Sequence, residues 1–410
     1  MKLSKLASFF PGWLFLLAML TALSPLSVDL YLPAFPAIAA SLNVDSSQVQ
    51  ITLAVYLLGM SIGQLLYGPL SDHFGRKPPL YFGLALYILA SVACVFANDL
   101  TTLTLARFIQ ALGGSSGVVI SRAVIRDRTT PAQGARAFSL LMLALGLAPI
   151  LAPLVGGFLL YIMGWRGIFG VLCASGIALI IGMHYTMQET HVREADARLS
   201  LWGALTQYLD LLGEWQFQKY VLVAGMLFGG MFAYVAGSPF VVIELYGVPA
   251  KHFGWFFGIN AVGMIAGSQF NASLVTRYGP ETLLRTVIWV PFIASLVALT
   301  ATLLSLDSLV LLMFCLFAFM TSMGILGPNA MALAMANQGH RAGSASALMG
   351  ATQFLIGTLG SMAVSLVTLP GALPLTGVLL FSATASLMVY QFGRVYKGKH
   401  HARRTSVENN

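Results

Sequence analysis

Charge is what this sequence lacks most. Only 9% of its 410 residues are Asp, Glu, Lys or Arg, whereas 58% are hydrophobic. A soluble globular domain carries about 25% charged residues, and a soluble protein this poor in charge would expose large apolar patches and aggregate. Lipid is the solvent that tolerates such a surface, and the mean hydropathy of +0.82 says the same. Cysteine is scarce as well. Cys94, Cys173 and Cys315 are the only three; they stand apart inside apolar runs, which excludes a disulfide framework or a Cys-built zinc site and leaves small buried thiols. No His/Cys cluster has metal-ligand spacing, and no cofactor is expected. No Walker A sequence occurs, so ATP is not the energy source unless a partner supplies it. Gly113-Gly-Ser115-Ser-Gly117 matches G-x-S-x-G, but it lies on an apolar helix, without the strand, turn and nearby His that a nucleophile elbow requires. Asn271-Ala-Ser273 falls near the expected cytosolic face, where glycosylation does not occur. The formal charge of +8 does not imply nucleic acid, because the basic residues do not cluster on one soluble domain.

What the chain does have is a series of long apolar runs. A bilayer core needs about 20 mostly apolar residues per helix. Twelve runs qualify: 12–37, 50–71, 80–97, 101–125, 136–161, 167–187, 219–244, 253–275, 283–304, 308–333, 342–366 and 372–393. They are continuous rather than alternating, which favours helices over a β-barrel. Lys2 and Lys5 precede the first run, as in a signal peptide. That run lacks a clear small-residue cleavage site and is long enough to span, so it is read as span one with a cytosolic N-terminus. In this orientation every Lys and Arg except Arg107, Arg166 and Lys251 falls in a cytosolic segment or at a cytosolic helix end. Such asymmetry supports the orientation and an even number of spans.

The longest polar stretch, 188–218, splits the chain near its middle. Leu201, Leu205, Tyr208, Leu209 and Leu212 recur there at helical spacing, with Ser200 as N-cap. The spacing predicts an amphipathic helix lying on the cytosolic face. The expected organisation is thus a six-helix bundle over 1–187, a cytosolic linker over 188–218, a second six-helix bundle over 219–393 and a basic cytosolic tail over 394–410. The tail holds Arg394, Lys397, Lys399, Arg403 and Arg404, with His400 and His401 solvated among them.

The two halves echo each other. At an offset of 204 residues, Gly59, Met60, Gly63, Leu70, Gly75 and Leu80 recur without a gap as Gly263, Met264, Gly267, Leu274, Gly279 and Leu284. Two pseudo-symmetric six-helix bundles are a transporter architecture. The glycine pairs four apart are small-xxx-small faces that let helices approach closely.

The loop after span two reads Gly68-Pro-Leu70-Ser-Asp72-His-Phe-Gly75-Arg76-Lys77. It resembles the cytosolic signature of the major facilitator superfamily. That resemblance implies a latch that joins the two halves in the outward-facing state, with Asp72 and Arg76 in its roles and Asp127 as an extra partner. The second half keeps Gly279 but has Thr276 where Asp72 would align, so its copy is degenerate. Arg107-Phe-Ile-Gln110-Ala-Leu-Gly113 in span four resembles the motif whose Arg is linked to proton transfer. Gly146-Leu-Ala-Pro149-Ile-Leu-Ala-Pro153-Leu-Val-Gly156-Gly157 in span five resembles the motif that marks antiporters. Pro149 and Pro153 free the carbonyls of Leu145 and Pro149 and make this helix bendable. Within the superfamily, Ser27-Val-Asp29-Leu-Tyr-Leu-Pro33-Ala-Phe-Pro36, Ile120-Ser-Arg122-Ala-Val-Ile-Arg126-Asp127, Gly237-Ser-Pro239-Phe-Val-Val-Ile-Glu244-Leu-Tyr246 and Ala342-Gly-Ser-Ala-Ser-Ala-Leu348 resemble the bicyclomycin- and chloramphenicol-resistance branch. Gln188-Glu189-Thr190 stands where a Pro-Glu-Thr is common. The resemblance implies a drug/H⁺ antiporter, monomeric, in a bacterial cytoplasmic (inner) membrane.

An ionisable residue inside a span is costly and marks a functional site by default. Only Asp29 and Arg107 lie clearly inside spans, at about 12 Å and about 9 Å from the outer ends of spans one and four. If both face a central cavity they approach each other. Desolvation raises a carboxyl pKa and a nearby Arg lowers it, so Asp29 is the expected proton acceptor and Arg107 its tuner. Pro33 frees the Asp29 carbonyl and loosens the helix there. Glu244, at the outer end of span seven, is a candidate for cationic drugs, with rim solvation the plainer reading. A polyspecific pocket is apolar and aromatic with a few polar groups, and its candidates are Tyr31, Tyr56, Gln110, Phe232, Tyr234, Asn260 and Gln353. The expected partners are small-molecule drugs, protons and the lipid bilayer, and the expected energy source is the proton gradient. The alternatives are a same-fold exporter of a sugar or other metabolite and a non-transporting receptor; the internal Asp and the duplicated halves argue against the latter.

Overall fold

In the computed structural model of the protein, residues 12–129, 131–190, 201–306, 308–367 and 369–408 are described. Lys2, Lys5 and the predicted cap Ser200 lie outside them. Among the described residues there is no strand; helices follow one another with short joints. Ten segments are long and apolar enough to cross a membrane. Span one is Gly12–Leu42, two Ser46–Phe74, three Lys77–Phe96 and four Leu100–Arg128. Spans five and six form one continuous helix, Pro131–Thr186, interrupted at Gly164 with φ 67°. Such a φ favours glycine, which carries no Cβ to clash, and it lets the chain reverse without a loop. Span seven is Trp215–Leu245, nine Pro280–Leu303, ten Leu309–Met335, eleven Ala342–Leu366 and twelve Leu373–Gly393. Span eight is the helix Ala250–Tyr278. It is absent from the ten because polar residues, among them Lys251, Asn260, Gln269, Asn271 and Arg277, dilute its apolar run. With the kinked helix counted as two and span eight included, the twelve expected spans are all present.

Lipid-type surface is evident along the spans. Tyr161 is 86% exposed and Val310 80%, with Phe96, Phe314 and Phe392 exposed as well. Large apolar side chains so open to solvent have no place on a water-soluble protein.

The chain forms two compact units, Met1–Ala204 with Val235–Ala261, and Leu205–Tyr234 with Val262–Asn410. In the first, span two packs on span four through Gly59 and Gly63. A Cβ at Gly59 would stand 2.6 Å from the Phe108 carbonyl oxygen, and one at Gly63 2.0 Å from Ser115 Oγ. In the second, the repeated glycines do the same between spans eight and ten. A Cβ at Gly263 would lie 2.7 Å from Thr321 Oγ1, and one at Gly267 2.1 Å from the Thr321 carbonyl oxygen. Asn329 Nδ2 also donates to Asn271 Oδ1 at 2.5 Å across this pair. The G-x-S-x-G segment is helix packing too: Cβ atoms at Gly113 and Gly117 would meet the Gly83 and Leu20 carbonyl oxygens at 2.4 and 2.6 Å.

Candidate functional site

Span one does not run straight. Its first helix ends at Asp29, a 3₁₀ turn follows at Leu32–Ala34, and a second helix runs Phe35–Leu42. Pro33 and Pro36 lack amide hydrogens and so cannot continue the first ladder. The Asp29 side chain lies at this break and is 5% exposed. Among the described residues it has no hydrogen bond or ion pair. Gly156 of span five packs directly on the break, where a Cβ would come 1.9 Å from the Leu30 carbonyl oxygen. Next to it, a Cβ at Gly157 would lie 3.3 Å from the Ala250 carbonyl oxygen at the start of span eight. Pro149 and Pro153 are inside the helix, and Gly146 is half-buried.

Arg107 is fully buried, but it does not pair with Asp29 as its depth in span four suggested. Its guanidinium carbon sits 4.2 Å from the ring centroids of both Tyr31 and Tyr56. One terminal nitrogen donates to Gln110 Oε1 at 2.6 Å and the other to the Ser27 carbonyl at 2.9 Å. Cation–π contact and a carbonyl dipole therefore offset part of the cost of burying the charge without a carboxylate, although among the described residues Nε has no hydrogen-bond partner. The network continues inward. Gln110 Nε2 donates to Ser91 Oγ at 2.7 Å, Ser91 Oγ to the Tyr87 carbonyl, and Ser27 Oγ is hydrogen-bonded to Tyr87 OH at 2.7 Å. Arg107 thus grips the last turn of the helix that carries Asp29, two residues before it. Tyr87 and Ser91 were not singled out in the sequence, and Ser27 appeared there only within the stretch around Asp29; their role depends on the fold bringing spans one, three and four together, and no local spacing signals it.

Tyr31, Tyr56 and Gln110, expected to face a substrate, are taken up by Arg107 and its neighbours. Tyr31 OH is also hydrogen-bonded to Thr52 at 3.1 Å. Phe232 belongs to an aromatic trio with Phe228 and Phe354, at centroid distances of 5.2 and 6.0 Å. Tyr234 and Asn260 are buried, and Gln353 is half-buried. Glu244, in the π-helical turn that ends span seven, accepts a hydrogen bond from Ser46 at the start of span two. A cavity of about 300 Å³ in the second unit is lined by none of these; there Glu214, Trp215 and Phe217 meet Leu333, Asn337 and Gln338.

The second cluster stands at the joint of spans two and three. Arg76 is 2% exposed and donates to Asp127 Oδ2 at 2.8 Å, Asp72 Oδ1 at 2.6 Å and Ser71 Oγ at 2.9 Å. Burial alone would push this guanidinium's pKa down, but its hydrogen bonds to Asp127 and Asp72 outweigh that and hold the value above the ordinary one. Asp72, Arg76 and Asp127 are therefore one group. Glu189 joins them. Its carboxylate accepts the backbone N–H groups of Arg76 and Lys77 at 2.9 and 3.0 Å, at the positive end of the span-three helix. It can come this close because Gly75 has φ 88° and no Cβ; a Cβ there would stand 2.9 Å from Glu189 Oε2.

Gly279 repeats the positive φ at 74°, but the surrounding chemistry differs. Among the described residues Thr276 bonds only its own helix, at the Ser273 carbonyl. Glu281 instead accepts Tyr220 OH at 2.7 Å and Tyr390 OH at 2.9 Å. The Lys219 ammonium lies 4.8 and 4.5 Å from the centroids of those two rings. This clamp ties spans seven, nine and twelve.

A duplicated helical bundle with an acid at a broken membrane helix and a charge cluster at a helix joint defines a membrane carrier. The sequence matches the model of the Major Facilitator Superfamily over residues 17–361, and the chain belongs to that family. It is 37% identical over 382 residues to the uncharacterized MFS-type transporter YdgK of Bacillus subtilis, covering 92% of this chain and 94% of that one. It is 33% identical over 376 residues to the bicyclomycin resistance protein homolog of Haemophilus influenzae, covering 92% and 94%. It is 28% identical to the multidrug resistance protein MdtL of Escherichia coli O157:H7, covering 91% and 93%. Among solved structures, a D-xylose-proton symporter superposes with a TM-score of 0.72 at 16% identity, covering 93% of this chain and 97% of that one. At that identity the likeness concerns the fold alone.

Proposed function

We propose that the chain is a proton-coupled exporter of small amphiphilic antibiotics, of the bicyclomycin or chloramphenicol type, working by alternating access across a bacterial cytoplasmic membrane. The observation that carries this reading is Asp29. Among the described residues it is the only acid in the apolar middle of a span, it has no partner, and it sits where that span is broken. Such a carboxyl group exchanges its proton with whichever side it faces. The break gives the helix a place to flex, and Gly156 couples the flexure to span five. Arg107 holds the helix end through the Ser27 carbonyl, so its role is to position Asp29 and relay movement of span four, with Gln110, Tyr31 and Tyr56 keeping it in place. Asp72, Arg76, Asp127 and Glu189 form a charge group able to favour one packing of two rigid bodies over another. The drug is taken up by an apolar, aromatic surface that includes Phe232, Tyr234, Asn260 and Gln353. The names of the Haemophilus and Escherichia relatives agree with drug export as the role.

The test uses purified protein in vesicles with an imposed pH gradient. Asp29→Asn is expected to abolish uphill movement of a bicyclomycin- or chloramphenicol-type compound while leaving its downhill exchange intact. Uphill transport by Asp29→Asn would remove Asp29 as the coupling group. No gradient-driven movement of any such compound by the parent protein would remove the exporter reading.

A further inference from the structure

Span four carries an arginine that the chemistry above does not use. Arg122 precedes the cytosolic end of the helix Leu100–Arg128 by about 9 Å. Arg76 has its carboxylates, and Arg107 has its rings and a carbonyl. Among the described residues Arg122 has no hydrogen bond, ion pair or ring contact. Its side chain sets out toward the outer end of the helix, because Cα–Cβ bonds lean to the N-terminus. Arg126, 61% exposed, already serves the membrane surface. Two polar side chains of span two are in the same condition. Gln64 and Tyr67 are 3% and 4% exposed, yet among the described residues neither makes a hydrogen bond. Buried polar groups nearly always have a partner. None of the polar side-chain atoms of these three residues is sealed off completely.

Helix geometry puts the three on one side. Spans two and four run in the same direction and meet where Gly59 and Gly63 face Phe108, Ala111, Leu112 and Ser115. At about 100° per residue, exposed Ile62 and Leu66 lie to one side of the two glycines, by about 80° and about 40°. Tyr67 and Gln64 lie to the other side, by about 60° and about 120°. On span four, exposed Leu105 and Ile109 lie about 70° and about 110° to the side that matches Ile62 and Leu66, and Arg122 about 30° to the opposite side. One side of the helix pair thus presents apolar side chains to lipid. The other side carries Gln64, Tyr67 and Arg122, all within the first unit.

We propose that Arg122, with Gln64 and Tyr67, binds the carboxylate of an exported compound, so that the carrier prefers substrates bearing an acidic oxygen group. The proposal rests on the exporter reading and names a substrate class for it. An ionisable residue inside a span is costly to keep and marks a functional site by default. A guanidinium stays charged at any working pH, and its planar fork matches a carboxylate with two parallel hydrogen bonds. The half-buried position of Arg122 strengthens such a pair, because the surroundings screen charge less than water does. The Gln64 amide and the Tyr67 hydroxyl add donors for further oxygens. With Gly63 level with Ser115, Gln64 stands about 9 Å above Arg122 along the axis, a span that one drug-sized molecule covers. A lipid headgroup fits less well, since the three residues turn away from the side that carries Ile62, Leu66, Leu105 and Ile109.

The test measures equilibrium binding of two radiolabelled probes of the same shape, 1-naphthylacetate and its neutral amide, to the full chain in detergent. The parent is expected to bind the carboxylate about tenfold more tightly than the amide, the scale of one charge-assisted pair. Arg122→Gln is expected to bring the ratio of the two affinities to about one, and Arg122→Lys to keep part of the preference. The ratio is read within each variant, so a smaller folded fraction leaves it unchanged. Gln64→Ala is expected to weaken both probes while the ratio stays. Equal binding of the two probes by the parent would overturn the proposal, as would binding of neither, or a preference that survives Arg122→Gln. Displacement of the carboxylate by phosphatidylglycerol but not by excess benzoate would assign the guanidinium to a lipid headgroup and also overturn it. No pH gradient is used, so this result is independent of the vesicle experiment: gradient-driven transport without a carboxylate preference removes the site alone, and the preference without transport removes the exporter reading alone.

Discussion

Gly156→Ala gives a sharp test of how span five meets the break in span one. The added Cβ would sit 1.9 Å from the Leu30 carbonyl oxygen, whereas ordinary contact begins at 3.4 Å, so the two backbones must part by about 1.5 Å. The obstacle is main chain, which cannot rotate aside as a side chain can. Overpacking of this kind costs about 1–3 kcal/mol, and a rigid backbone neighbour places it at the upper end. Alanine's better helix propensity returns about 1 kcal/mol, leaving a net loss of about 2 kcal/mol, or roughly 30-fold in the packed population. Gly170 in span six is the control, since nothing lies within 4 Å of a Cβ there. Gly170→Ala is expected to stabilise by up to about 1 kcal/mol. Thermal unfolding of both variants in detergent, with transport in vesicles, reads the difference. Gly156→Ala matching the parent in both assays would refute the geometry, as would an equal loss in Gly170→Ala.

Arg76→Lys keeps the charge but not the fork that reaches Asp72, Asp127 and Ser71 together. It should lose about 2 kcal/mol of charge-assisted hydrogen bonding and slow transport by up to about 30-fold; an unchanged rate in vesicles would count against the latch. Glu189→Gln should speed amide exchange at Arg76 and Lys77, read by hydrogen–deuterium exchange over that segment, and unchanged protection would show that the carboxylate is not what holds them. Tyr390→Phe removes one donor from Glu281 and should cost about 1.5 kcal/mol in thermal unfolding. Combined with Tyr220→Phe it should be non-additive, because both hydroxyls serve one carboxylate; strict additivity would argue against a shared clamp.

The spans were legible because each is a long apolar run bounded by charge, a signal carried by consecutive residues. The repeat was legible for a related reason: a backbone that must pass close to another needs glycine whatever surrounds it, so Gly59, Gly63, Gly263 and Gly267 show in the sequence. The Asp72–Arg76–Asp127 group was readable only through resemblance, since Asp127 is remote in sequence. Glu189 had a trace, being the shared residue of the Gln188-Glu189-Thr190 variant, but nothing local says that it caps the start of span three. The aromatic enclosure of Arg107 was hidden. Depth along a helix placed Arg107 level with Asp29, but azimuth about the helix axis decides which neighbours it meets, and azimuth depends on packing. The direct joint at Gly164 was hidden as well, because one left-handed glycine does the work for which a loop was expected.

Span eight has a consequence for how the chain is made. A helix diluted by Asn271 and its polar neighbours partitions poorly into lipid by itself, so at the moment of synthesis it is a weak candidate for release from the insertion machinery. Its Asn271 amide finds its mate at Asn329, and Gly263 and Gly267 find their close neighbours along span ten. Spans nine and ten must therefore emerge before span eight is at home in the bilayer. The order of synthesis and the order of settling differ at this point. Truncation after span eight should leave a segment that slips back out of the membrane, whereas truncation after span ten should not.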